Sequence, residues 1–259
     1  MGETGKNINS ANEKEVKDFL SQIAQHLILN TSYSDNLGLY HGKMGIILFF
    51  CYYSKYIDNT LYDDFAGELL DEIYDDISRK TLINFEDGLC GIGWCIEYLI
   101  QHDFLSGDAD KILSHLDARI MELNPKRIKD ISFRTGLGGI LYYSLVRINS
   151  SRKKKTNMPF DNSYVSDLYN AAKEVTQIGG DLGFKFLLDN LLYGDCEEGM
   201  NIFSSPIYSL ICGNTQNSIR KKVSLGLENG YAGAGLKRVL PNLLLINNKC
   251  LALSNSNIT

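Results

Sequence analysis

The stretch Gly42-Lys43-Met44-Gly45-Ile46-Ile47-Leu48-Phe49-Phe50-Cys51-Tyr52-Tyr53 opens on two glycines three residues apart and then runs apolar with no polar side. It reads as a helix enclosed by others, because a helix that borders solvent keeps a charged face. The segment before it differs. There Val16, Phe19, Leu20, Ile23, Ala24, Leu27 and Ile28 recur at helical spacing with charges between them, which predicts an amphipathic helix. Together they make a hairpin of one outer, half-wet helix and one inner, dry helix.

The glycine pair returns as Gly88 and Gly91, Gly136 and Gly139, Gly180 and Gly183, and Gly230 and Gly233, so the leading glycines step by 46, 48, 44 and 50 residues. That period fits one helical hairpin better than a strand pair or a βαβ unit. In the second repeat Phe65, Leu69, Leu70, Ile73 and Ile77 point inward, and Asp63, Asp64, Glu68, Asp71, Glu72, Asp75 and Asp76 point to water. The apolar Ile92–Ile100 follows. Further outer helices are expected around Ile112–Leu123 and Val165–Val175. Inner ones are expected at Ile140–Val146, Leu182–Leu192 and Ala232–Leu240, with Pro241 ending the last. The organisation expected is a single all-α domain over residues 1–259, with a basic loop at 149–162 and a polar tail at 254–259.

A chain of 259 residues, 44% hydrophobic and 22% charged, can bury a core without disulfides or metals. Its net charge of −5 argues against general nucleic-acid binding, which draws its affinity from Lys and Arg. The basic run Arg152–Lys155 reads as a solvated loop. No apolar stretch reaches the roughly 20 residues a membrane span needs, and no secretory signal is visible at the N-terminus. The six cysteines (Cys51, Cys90, Cys95, Cys196, Cys212, Cys250) show no regular spacing and read as reduced, mostly buried thiols of a cytoplasmic protein.

Glycine inside a helix costs about 1 kcal/mol against alanine, so Gly91, Gly93, Gly139, Gly233 and Gly235 need a compensating role. Close helix packing supplies one, and each leading glycine is expected to take the positive φ of a turn. If the inner helices run parallel, the residues just before each leading glycine meet at one end. Those are Tyr40 and His41, Glu86 and Asp87, Arg134 and Thr135, Ile178 and Gly179, and Glu228 and Asn229. The mix of imidazole, carboxylates and guanidinium is what an acid/base site contains, and also what surface turns contain.

The segments Gly38-Leu39-Tyr40-His41-Gly42-Lys43-Met44-Gly45-Ile46, Gly88-Leu89-Cys90-Gly91-Ile92-Gly93-Trp94, Thr135-Gly136-Leu137-Gly138-Gly139-Ile140 and Leu227-Glu228-Asn229-Gly230-Tyr231-Ala232-Gly233 resemble the repeated glycine motif of the lanthionine synthetase C-like family. The resemblance runs from about Gly38 to Leu240. It implies an α/α toroid, a double ring of helical hairpins, and an activity that adds a cysteine thiol across a dehydrated residue of a peptide on zinc. The family ring has seven hairpins and five are recognisable here, which implies a ring left open or completed by another chain, including a homo-oligomer.

The family holds its zinc with one cysteine and a later Cys-His pair. Glu228 and Asn229 stand where that pair would bind, and Ile178 where the first cysteine would. The resemblance therefore implies a toroid without metal or other cofactor. Its expected partner is a peptide substrate or a peptide-modifying enzyme in the maturation of a ribosomal peptide product, with no role for nucleic acid or membrane. The candidate substrate-binding residues are Tyr40, His41, Trp94, Arg134, Asn229 and Tyr231. The alternative is a carbohydrate-active enzyme, a glycoside hydrolase or epimerase, with Glu86, Asp87 and Glu228 as catalytic acid and base. Asp87 is also placed to cap the helix that follows it. A relocated metal site would need His41 and Cys90.

Overall fold

The computed structural model describes residues 3–177 and 224–241, with Leu188 besides. The fourth glycine pair, the helix expected at Leu182–Leu192, Ile178, Cys196, Cys212, Cys250 and the 254–259 tail lie outside the described residues. Every regular element among the described residues is helical, as expected. None of these helices is long and apolar enough to cross a membrane. By its contacts the chain divides into two compact units. One comprises Met1–Asn36, His41–Asp75 and Leu210–Thr259, the other Leu37–Tyr40 and Asp76–Ser209.

The first unit holds α1 (Glu3–Asn30), α2 (Lys43–Ile57), nearly all of α3 (Leu61–Asp76) and α8 (231–241). Helix α1 buries Leu20, Ile23, Ala24 and Leu27, a stripe at the spacing of one helix face, while Ile28 at its edge turns outward. Helix α2 is enclosed almost all round, as its lack of a polar face requires. Each of its large side chains taken from water contributes about 1.5–3 kcal/mol. The turn into α3 is tied by Ser54, whose hydroxyl donates to Asp63 Oδ2 at 2.7 Å. Helix α8 packs on both earlier helices: a Cβ on Gly235 would lie 2.3 Å from the Phe49 ring, and Tyr231 rests on His26 with ring centroids 4.1 Å apart. The first and fifth repeats are therefore neighbours in space.

The second unit holds α4 (Leu89–Gln101), α5 (Ala109–Met121), α6 (Leu137–Lys154) and α7 (Asn162–Gln177). Inner helix α4 packs on α5 and α6, and α6 packs on α7. Inner and outer helices alternate along the chain as the hydrophobic pattern predicts. The basic run departs from the loop expected of it. Helix α6 continues through Lys154, and Lys155 closes it at a left-handed φ of 56°. Three cations in the last turn face the negative end of the helix dipole, a favourable term of about 0.3–1 kcal/mol each, which carries the helix further than its apolar face does.

Gly91, Gly93, Gly139, Gly233 and Gly235 inside the helices are closely packed, as expected, but the leading glycines do a different job from the one expected of them. Gly42, Gly88 and Gly136 have φ between −116° and −119°, ordinary extended backbone, so no positive φ calls for them. Space does. A Cβ on Gly88 would fall 2.4 Å from the Leu82 carbonyl oxygen, and one on Gly136 2.2 Å from that of Asp130. The second glycines are as tight: Gly91 would meet the Phe85 carbonyl oxygen at 2.0 Å and Gly233 that of Leu227 at 2.0 Å. Each loop folds back on the first turn of the inner helix it precedes. The N–H after the leading glycine donates seven residues back, Lys43 to Asn36, Leu89 to Leu82 and Leu137 to Asp130 at 2.8 Å, and Tyr231 to Ser224 at 2.9 Å.

Candidate functional site

The repeated loop sorts its own side chains. The residue three before the leading glycine is apolar and turned inward, with Leu39 and Phe85 fully buried and Leu227 nearly so. Its carbonyl is the group that the second glycine must clear. The next residue, two before the glycine, is Tyr40, Glu86, Arg134 and Glu228 in successive described repeats; Tyr40 is buried and the three charged residues are half-buried.

In the second unit a backbone ladder joins these positions. The Arg134 carbonyl accepts from the N–H of Phe85 and of Glu86 at 3.0 and 2.9 Å. The Glu86 carbonyl in turn accepts from Leu39 and Tyr40 at 3.1 and 3.0 Å. Equivalent residues of three repeats are thus held side by side by their main chains, whatever side chains they carry. The side chains then meet. The Arg134 guanidinium lies over the Tyr40 ring, 4.7 Å from its centroid, and its Nη2 donates to Glu86 Oε1. The sequence-predicted residues Tyr40, Glu86 and Arg134 form one cluster, with the cation outermost: its side chain is 41% exposed against 17% for Glu86.

The first unit brings together another set. His41 Nε2 lies 3.0 Å from Glu228 Oε2, joining the loop of the first repeat to that of the fifth across 187 residues of chain. Asn229 has a left-handed φ of 53°, a conformation that asparagine adopts more readily than most residues. Its backbone accounts for its place in the loop. Tyr231, at the start of α8, is engaged with His26.

Two expectations are corrected. Asp87 does not cap α4, because Gly88 is the N-cap and no side chain caps it. The Asp87 N–H donates to Asn84 Oδ1 at 3.0 Å, and its carboxylate lies against Gly38, where a Cβ would fall 2.6 Å from Oδ1. A residue one place before the N-cap sits too early to reach the orphan N–H groups of the first turn. Trp94 is not at an opening: it is fully buried, between Phe85 and Tyr98 at centroid distances of 5.7 and 5.5 Å. An enclosed helix turns every large residue into core. Cys90 is fully buried, as the reading of the cysteines as buried thiols expects, and burial pushes its thiol well above its ordinary value, the opposite of what the alternative of a thiolate ligand needs.

One constellation escaped the sequence reading. Arg147 of α6 is buried and donates through Nη1 to Glu97 Oε2 of α4 at 2.7 Å and through Nη2 to Asp117 Oδ2 of α5 at 2.9 Å, with Asp110 Oδ1 at 3.2 Å. Tyr143 adds its hydroxyl to Asp117 Oδ1 at 2.6 Å. Burial pushes the Asp117 carboxyl up, and Arg147 and Tyr143 hold it back. Burial also works against the Arg147 charge, but Asp117 and Glu97 outweigh it and keep the guanidinium firmly protonated. The signal was Glu97 inside an otherwise apolar run. Its centre, Arg147 with Glu97 and Asp117, is enclosed and internally satisfied, with only Asp110 and Lys154 at its edge reaching the surface, and it fastens three helices.

The chain matches no family model and no curated protein.

Proposed function

We propose that this chain is a zinc-free relative of the lanthionine synthetase C-like proteins. It binds a peptide, either the precursor of a ribosomally made product or a segment of the enzyme that modifies it, and does not itself close thioether rings. The observation that carries this reading is the fate of Glu228 and Asn229. They occupy the positions where the resemblance implies a thiolate and an imidazole. The Glu228 carboxylate is engaged by His41, and Asn229 serves the backbone at a positive φ. A carboxylate and an amide are poor substitutes for thiolate and imidazole toward zinc. The glycosidase-like alternative gains less support, since two of its three candidate carboxylates are already engaged, Glu86 by the Arg134 guanidinium and Glu228 by the His41 ring. In the proposed role the chain works in the cytoplasm, where its buried Cys51, Cys90 and Cys95 remain thiols.

Elemental analysis of the purified protein, with thermal midpoints in the presence and absence of a chelator, tests the zinc-free part. The expected result is no stoichiometric metal and an unchanged midpoint; bound zinc whose removal lowers the midpoint overturns it. Fluorescence anisotropy with labelled peptides tests binding. Hydrolysis of aryl glycosides abolished by Glu86→Gln would replace the proposal with the enzyme reading.

A further inference from the structure

Resting on the peptide-binding reading, we propose that Arg134 anchors a carboxylate of the bound peptide, held above Tyr40 and Glu86. Among the described residues, the positions two before a leading glycine carry an aromatic ring, two carboxylates and one cation, and the cation is the outermost member of its cluster. A ligand reaching that cluster meets the guanidinium first.

The geometry suits capture of a planar anion. A guanidinium presents five N–H donors in one plane, matched to the two oxygens of a carboxylate. Stacking on Tyr40 fixes that plane from one face, and the contact with Glu86 fixes its rotation. An arginine already held in place gives up less side-chain freedom when a ligand arrives. Its position is fixed further by its own carbonyl, which carries the main-chain ladder to the neighbouring repeat. Glu86, Asp87 and Arg134 together carry a net charge of −1, so the attraction is one of contact and not of long-range field. Two consequences follow for substitutions. Lysine, which keeps the charge but loses the planar fork, should not replace Arg134. Removing the charge of Glu86 should strengthen the site, because Glu86 competes for the same guanidinium.

The test uses the full chain and three labelled twelve-residue peptides of neutral background: one amidated with three glutamates, one neutral with a free C-terminal carboxylate, and one amidated with three lysines. Anisotropy titrations should show binding of one or both carboxylate peptides, which also tells an acidic side chain from a chain terminus, and none of the lysine peptide. Arg134→Gln should weaken binding by about tenfold or more, Arg134→Lys should recover little of it, and Glu86→Gln should tighten it about threefold. Circular dichroism checks that each variant is folded. Equal binding of the lysine peptide, or folded Arg134→Gln that binds as the parent does, overturns the proposal while leaving peptide binding intact. If none of the three peptides binds, the peptide reading falls. Titration with succinate alone then decides the anchor: a shift of the Arg134 Nε–H resonance at tens of millimolar supports it, and an unmoved resonance overturns it.

Discussion

Gly93 of α4 lies against Tyr143 of α6 so closely that a Cβ there would come within 2.7 Å of the tyrosine hydroxyl, the group that donates to Asp117. The missing side chain on one helix is what lets a second helix reach a third. Alanine at this position therefore does not recover the roughly 1 kcal/mol of helix propensity that glycine forgoes. Gly93→Ala should destabilise the fold by about 1–3 kcal/mol through the displaced, buried ring. Tyr143→Phe should cost about 1–2 kcal/mol, since it leaves Asp117 short of a donor. In urea unfolding the double variant should lose clearly less than the sum of the two, because both act on one contact.

Arg147 is the hub of the buried network. Arg147→Met should cost about 3–5 kcal/mol at neutral pH, because Asp117 is left without its buried cation and Glu97 keeps only the more distant Lys154, at 3.6 Å. The pH dependence has a definite sign. Asp117 is already raised above its usual 3.8 by burial, and loss of Arg147 removes the main opposing influence. A carboxyl whose folded-state value is raised contributes its full stability below the unfolded value and loses it as pH rises through the folded one. Unfolding midpoints of Arg147→Met should therefore rise as pH falls from 7 toward 5. A midpoint that falls over this range would show that another group controls the variant.

Asn229 separates a backbone role from a ligand role. Asn229→Gly keeps the φ of 53° accessible and should leave stability within a few tenths of a kcal/mol. Asn229→Val should cost about 1–3 kcal/mol, since a β-branched side chain resists that region. Chemical denaturation of both variants measures the difference. If both destabilise equally, the amide side chain and not the backbone is what matters there.

Two glycines should respond oppositely to alanine. A Cβ on Gly67 in α3 would meet nothing within 4 Å, so Gly67→Ala should stabilise by about 0.5–1 kcal/mol. At Gly91 the Cβ would meet the backbone carbonyl of Phe85 at 2.0 Å, and Gly91→Ala should destabilise by about 3 kcal/mol or more. Thermal midpoints of the pair check the distinction between a glycine that merely weakens its helix and one on which the loop closes.

The helices themselves were legible because their evidence is local. Periodicity in Leu20, Ile23, Ala24 and Leu27, and its absence in Ile46–Tyr53, separate half-wet from enclosed helices without reference to any partner. The candidate residues Tyr40, Glu86 and Arg134 were legible for a related reason, since equal places in a repeated loop imply equal places in space. The roles of Asp87 and Trp94 were not. Whether a carboxylate before a helix caps it depends on a single residue of register, and whether an aromatic ring faces an opening depends on which helices surround it.

From sequence alone came the period, the all-α class and the outer and inner alternation, because each follows from hydrophobic spacing along one chain. Tertiary structure alone decided that the leading glycines answer to a carbonyl behind them and not to a positive φ. It also decided that Glu97, Asp117 and Arg147 share one buried network and that His41 finds Glu228. These are contacts between residues far apart in sequence, and no local pattern encodes the distance at which two helices pack or the direction in which a buried charge finds its partner.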